Sequence, residues 1–134
     1  FSPAFPTFEP NVRRRGGNPY FVPLKPERDF RPDPADVAKF LAEAPRPKAI
    51  FLNSPHNPTG GVASEEDLRE IADMIRGKNV ALLSDEPYCH MVWEGKHRSI
   101  LSQPGMMEQC IAAYTFSKSY SMSGWERIDR CFPS

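Results

Sequence analysis

KAIFLNSPHNPTGG (residues 48–61) and SEEDLREIADMIRGKNVALLSDEPY (residues 64–88) spell out strand, loop, helix, strand and loop in close succession. Ala49 to Leu52 is an unbroken apolar run of strand length, stopped by the turn-rich NSPHNPTGG. Ser64 is placed to cap a helix over 64–76 whose first turn, Glu65, Glu66 and Asp67, is acidic and suits the positive end of the helix dipole. Leu68, Ile71, Ala72 and Ile75 line one face of that helix, and Gly77 can stop it. Val80 to Leu83 is a second apolar run, ending in SDEPY. Two buried strands bracketing one capped amphipathic helix form a βαβ unit, so the strands at about 49–53 and 80–84 are expected side by side and parallel. Continuous apolar runs, rather than alternating ones, suggest strands covered on both faces.

The pattern extends in both directions. Cys110 to Phe116, CIAAYTF, is a third apolar run, and it ends at Ser117 and Lys118. Upstream, Asp33 and Pro34 form an N-cap and first-turn pair, and Val37, Phe40 and Leu41 recur at helical spacing, which predicts a helix over 34–44. Tyr20 to Leu24 reads as a short strand made irregular by Pro23, and the proline-punctuated FSPAFPTFEP as an ordered turn that excludes a long helix. Arg13, Arg14 and Arg15 are expected in a solvated turn. No repeat, low-complexity tract or interdomain linker interrupts the chain.

Composition removes several function classes. Lysine and arginine number 17 and so do aspartate and glutamate, which gives no electrostatic basis for nucleic acid or an anionic membrane as partner. No apolar run approaches membrane-spanning length, and a soluble, cytoplasmic protein is expected. Cys89, Cys110 and Cys131 are too few and too far apart for a disulfide framework, and His56, His90 and His97 lack ligand partners at helical spacing, so no metal is expected. With 134 residues, a first residue Phe1 and 15 prolines, many at expected loop boundaries, the chain reads as an excerpt of a longer protein.

Each apolar run ends in a polar cluster: Asn57 after the first, Asp85 and Tyr88 after the second, Lys118 after the third. In an open, mostly parallel sheet the strands' C-terminal ends share one edge, so these clusters are expected to line one crevice. Singly, NPTG is a turn, Asp-Glu a strand-end cap and FSKSY a segment with a surface lysine. Their ordered combination resembles the signature segments of class I/II pyridoxal-phosphate-dependent aminotransferases, the fold type I enzymes. AFPTF, GGNPYFVPL and KAIFLNSPHNPTGG are similar to the same family's large domain, so the resemblance runs nearly to Trp125. It implies an α/β fold, part of a three-layer αβα large domain with a mostly parallel sheet. Residues 1–134 would then be a partial cofactor-binding domain, without the N-terminal segment or the C-terminal small domain.

The resemblance also implies roles. Lys118 would form the Schiff base with pyridoxal 5'-phosphate and then move the proton from the substrate's α-carbon. Asp85 would pair with the pyridine nitrogen and hold it protonated, which makes the ring an electron sink. Asn57 and Tyr88 would donate hydrogen bonds to the cofactor's phenolic oxygen, Phe5 would stack on the ring unless it is a core phenylalanine, and Thr115 and Ser117 would hold the phosphate. Thr59 and Gly60 are expected to shape a turn, Tyr120 and Trp125 to pack. After SYSMSGW the family places a phosphate-clamping arginine at once; here Glu126 takes that place and Arg127 comes one residue late, a slip that reverses side-chain direction in a strand. The implied reaction is amino transfer between an α-amino acid and a 2-oxo acid, by a homodimer when the enzyme is complete. A carbon-sulfur lyase of the same fold and a catalytically silent remnant are the alternatives, and a fragment of this kind is not expected to be active alone.

Overall fold

In the computed structural model, residues 1–124 are described in full and residues 126–130 by their backbone. The elements run α1 (Phe8–Arg14), α2 (Pro34–Glu43), β1 (Ala49–Asn53), α3 (Glu65–Ile75), β2 (Ala81–Asp85), β3 (Cys110–Thr115), α4 (Phe116–Ser119) and β4 (Glu126–Arg130), with 3-10 turns at Pro26–Arg28 and Ile100–Ser102. The strands form one sheet in the order β1-β2-β3-β4, in which the first three are parallel and β4 is antiparallel to β3. Asn53, Asp85 and Ala113 lie opposite one another in register, so the C-terminal ends of the parallel strands share one edge, as the apolar runs predict.

Local chemistry accounts for the βαβ unit. Ser64 and Asp67 close a capping box at the start of α3: the Asp67 amide donates to Ser64 Oγ at 3.1 Å and the Ser64 amide to Asp67 Oδ2 at 3.0 Å. Leu68, Ile71, Ala72 and Ile75 are all buried against Ile50, Leu52, Leu82 and Cys110 of the sheet, and each such Leu or Ile contributes roughly 1.5–3 kcal/mol of transfer free energy. Gly77, at φ 72°, ends the helix in a conformation that a side chain would strain. Gln109 locks the return to β2, its Nε2 donating to the carbonyls of Ile75, Lys78 and Val80 at 2.7–2.9 Å. In α2, Asp33 Oδ1 accepts from the Ala35 amide at 3.0 Å and Pro34 occupies the first turn.

The structure departs from the sequence reading in four places. Tyr20–Leu24 is not a strand but a single bridge, Ser2 to Pro23, made by the Ser2 amide donating to the Val22 carbonyl and the Leu24 amide to the Ser2 carbonyl; Pro26, which has no N–H, stands where the next donor on this segment would be. A short helix, α1, follows the N-terminal turn; Pro10 sits in its first turn, where the missing N–H would have had no partner. Arg13 and Arg14 are exposed on its last turn rather than in a free turn. The sheet is covered by α2 and α3 on one face, while on the other Phe51 is covered by Phe8 of α1 and Leu83 is 37% exposed. The strands therefore alternate in burial within this chain, a partial version of the three-layer arrangement.

Candidate active site

The loop after β1 folds back over the strand end through Asn53. This residue is buried; its Nδ2 donates to the Asp85 carbonyl at 2.9 Å and to Asp85 Oδ2 at 3.3 Å, while its Oδ1 accepts from the Asn57 amide at 2.8 Å. One asparagine thus ties together two of the residues singled out from the sequence. Asn57 Nδ2 then donates to Tyr88 Oη at 3.2 Å, closing the loops after β1 and β2 onto each other. The 56–61 turn is built as expected around Thr59 and Gly60: His56 Nδ1 and Thr59 Oγ1 are 2.8 Å apart, the Gly60 amide donates to the His56 carbonyl at 2.8 Å, and Gly60 has φ 80°. Burial lowers the pKa of His56 from its ordinary value.

Asp85 is the group under most tension. Its carboxyl is pushed up to about 6, first by desolvation and then by the neighbouring charge of Glu86. Among the described residues no lysine, arginine or histidine lies within ion-pair distance of it. Phe5, 49% exposed, is not a core residue: it stands edge-on to Phe8 and lines a small cleft with Phe51, Asn53 and His56. At the end of β3, Thr115 caps α4 by accepting from the Ser117 amide at 2.9 Å, a role its hydroxyl can combine with donating its own hydrogen. Ser117 Oγ reaches the Met122 carbonyl at 3.5 Å. Lys118 follows on α4, exposed and without an ion-pair partner among the described residues. Tyr120, expected to pack, is 56% exposed, with its ring beside Phe116 and His90.

The structure thus brings Asn57, Tyr88 and Asp85 into one hydrogen-bonded group, places Phe5 beside it, and puts Thr115, Ser117 and Lys118 at the end of the strand next to Asp85. Arg127 lies in β4 opposite Tyr114, and Glu126 opposite Thr115, but their side chains, like Trp125, lie outside the described residues. Among the described residues no cluster of histidine, cysteine or acidic side chains is arranged to hold a metal.

The profile of the aminotransferase class I and II family matches residues 1–128. The chain belongs to that family. It is 41% identical over 125 residues to an aspartate aminotransferase of Pyrococcus abyssi, covering 92% of this chain and 32% of the relative. It is 38% identical over 135 residues to kynurenine–oxoglutarate transaminase 1 of Rattus norvegicus, covering 92% and 31%. The crystal structure of an aromatic aminotransferase from Pyrococcus horikoshii OT3 superposes with a TM-score of 0.89 at 36% identity, covering 97% of this chain and 35% of the other. The fold is therefore that of these aminotransferases, and the chain spans about a third of the length of the relatives it matches.

Asn53 and Glu86 are the two site residues the sequence reading missed. Asn53 ends an apolar strand one residue beyond the run assigned to it, and Glu86 was read as part of a strand-end cap rather than as a buried side chain. Asn53 directly follows its apolar run and Glu86 stands three residues beyond one, positions that mark a strand end but not the buried hydrogen bonds that each side chain makes.

Proposed function

We propose that this chain forms the lysine-bearing part of the cofactor-binding domain of a pyridoxal-phosphate-dependent aminotransferase, spanning residues 1–134. The reaction is amino transfer between an α-amino acid and a 2-oxo acid. The observation that carries this reading is Asp85, a largely buried carboxylate without a cation among the described residues, on the strand next to the one that leads into Lys118. A protonated ring nitrogen is the partner such a carboxylate lacks. The other donors fit the same group: Asn57 Nδ2 and Tyr88 Oη suit a phenolic oxygen, and the Thr115 and Ser117 hydroxyls suit a phosphate.

Bound pyridoxal 5'-phosphate supplies an aldehyde that condenses with amines and a cationic ring that withdraws electrons from the substrate's α-carbon. Within the chain, Asp85 holds the ring nitrogen's proton, and Asn53 orients that carboxylate through its Nδ2. Asn57 and Tyr88 stabilise negative charge on the phenolic oxygen, and Phe5 borders the ring's place as an apolar wall. Lys118 contributes the amine and moves the α-proton. Arg127 is assigned to the phosphate, with Glu126 weakening that hold. The same reading implies a cytoplasmic homodimer.

The proteins named above are called aspartate, aromatic and kynurenine–oxoglutarate enzymes, at similar identity to this chain. The shared stretch therefore supports the common chemistry and leaves the amino acid open. The test is product analysis on the full-length protein supplied with pyridoxal 5'-phosphate, a panel of amino acids and 2-oxoglutarate. Formation of glutamate, lost in Lys118→Ala, is the expected result. Release of a thiol and ammonia from a sulfur amino acid would favour the lyase, and no turnover with any donor would favour the silent remnant.

A further inference from the structure

Beneath the proposed site, on the opposite side of β2 from Asp85, lies a second acidic residue with a full set of partners. Glu86 is 1% exposed. Its Oε1 accepts from Ser84 Oγ and from Ser99 Oγ, each at 2.7 Å, and its Oε2 lies 2.9 Å from His97 Nε2. Ser99 Oγ also lies 3.4 Å from Tyr114 Oη and accepts from the Leu101 amide at 3.2 Å, which ties the cluster to β3 and to the 3-10 turn at Ile100–Ser102. Among the described residues the His97 ring has no other hydrogen-bond partner, and its Nδ1 is buried. Glu86 is fixed at its backbone too, where its amide donates to the Ala113 carbonyl at 2.9 Å.

These bonds join the two ends of a loop. Glu86 stands where the chain leaves β2, His97 and Ser99 where it returns, and between them Pro87–Lys96 passes over the site edge carrying Tyr88. Inside that span the backbone bonds are sparse: the Cys89 amide donates to the Glu86 carbonyl at 3.3 Å and the Met91 amide to the Tyr88 carbonyl at 2.8 Å, while Trp93 is 88% exposed. A loop with few bonds of its own and one junction on a buried carboxylate takes its position from that junction. Of the three hydrogen bonds converging on the buried carboxylate, those from Ser99 and His97 hold the two ends together, and the one from Ser84 fixes the carboxylate on β2.

We propose that Glu86 is a positioning residue, which with His97 and Ser99 clasps the 86–99 loop and so fixes Tyr88 against Asn57. The proposal deepens the reading of the cofactor site and rests on it only for what Tyr88 finally contacts; the clasp itself is present in the chain alone. It assigns to the second acid of SDEPY a part distinct from that of the first. Asp85 faces the site, and Glu86 holds in place the tyrosine three residues after Asp85.

Two measurements on the full-length protein test it. In the ligand-free protein, amide hydrogen exchange at Cys89 and Met91 is expected to rise roughly ten-fold or more in Glu86→Ala, with the amides of α3 unchanged, because the loss of hydrogen bonds to a charged group loosens the loop by at least that factor. Ser99→Ala, which leaves Glu86 with two of its partners, provides the same readout should Glu86→Ala fail to fold. Unchanged exchange at Cys89 and Met91 in a folded variant would overturn the proposal. The second measurement is a cycle of Glu86→Ala, Tyr88→Phe and the double variant, read as affinity for pyridoxal 5'-phosphate by its visible absorbance. If Glu86 acts through Tyr88, the double variant binds no more weakly than Tyr88→Phe alone; additive losses would contradict it. A parent protein that binds no pyridoxal 5'-phosphate would refute the cofactor reading, and the exchange measurement would still decide the clasp.

Discussion

At Asp85, geometry and titration meet. The carboxyl is pushed from the ordinary 3.8 to about 6 by burial and by Glu86. Between those values the folded chain keeps a proton that the unfolded chain has released, so stability falls as pH rises through the window, and the penalty is complete above about 6. Asp85→Asn removes the charge and keeps the shape. It is expected to raise the stability of the ligand-free protein at pH 7.5 by roughly 1 kcal/mol, a figure discounted for the solvent that still reaches the carboxylate, and to change nothing below about pH 4. Thermal melts at the two pH values read this directly. Equal gains at both would mean that Asp85 carries no such burden. The same substitution is expected to weaken the binding of pyridoxal 5'-phosphate, so that stability and function move in opposite directions at one residue, a sign that the strain serves the site.

At the level of elements, the loop that carries Asn57 is backed by a second loop, and Asp67 holds that second loop in place. Arg28 Nη2 meets Asp67 Oδ1 at 2.7 Å and Arg31 Nη1 meets Asp67 Oδ2 at 3.0 Å, so the carboxylate that caps α3 also anchors the segment around Asp29 and Phe30. That segment packs so closely on Gly61 that a Cβ there would meet the Phe30 carbonyl oxygen at 2.5 Å. Asp67→Ala removes the carboxylate half of the capping box, leaves Arg31 without its ion-pair partner among the described residues and leaves Arg28 only its 3.9 Å contact with Asp33, and is expected to cost about 2–3 kcal/mol in urea unfolding. Asp67→Asn, which can still cap, is expected to lose about half as much. A loss below about 0.5 kcal/mol for Asp67→Ala would show that the loop is held elsewhere.

How legible each element was follows from where its stabilisation lies. The β1-α3-β2 unit was readable because its apolar faces, capping box and stop glycine all lie within the local sequence and agree with one another. The Tyr20–Leu24 segment was misread because its apolar composition says nothing of its pairing partner, which is Ser2 alone, some twenty residues away. Helix α1 was hidden by Pro10, which reads as a breaker except in the first turn. In the site, Asn57, Asp85, Tyr88 and Lys118 could be picked out as strand-end residues and through family resemblance. Asn53 and Glu86 could not be, since what they do depends on hydrogen bonds to neighbouring strands and loops.

Over the whole molecule, three parallel strands deliver polar residues to one edge, and a sheet of this kind binds ligands outside the carboxyl ends of its strands. The proposed function requires that this edge be built around Lys118. Among the six lysines of the chain it alone directly follows one of the parallel strands at that edge. The direct measurement is covalent mapping: incubate the full-length protein with pyridoxal 5'-phosphate, reduce with borohydride, digest and locate the pyridoxyl label by mass spectrometry. A single dominant label on Lys118 is expected, lost in Lys118→Ala and not transferred to Lys96 or Lys78. A label spread over surface lysines, or one that persists undiminished in Lys118→Ala, would contradict it.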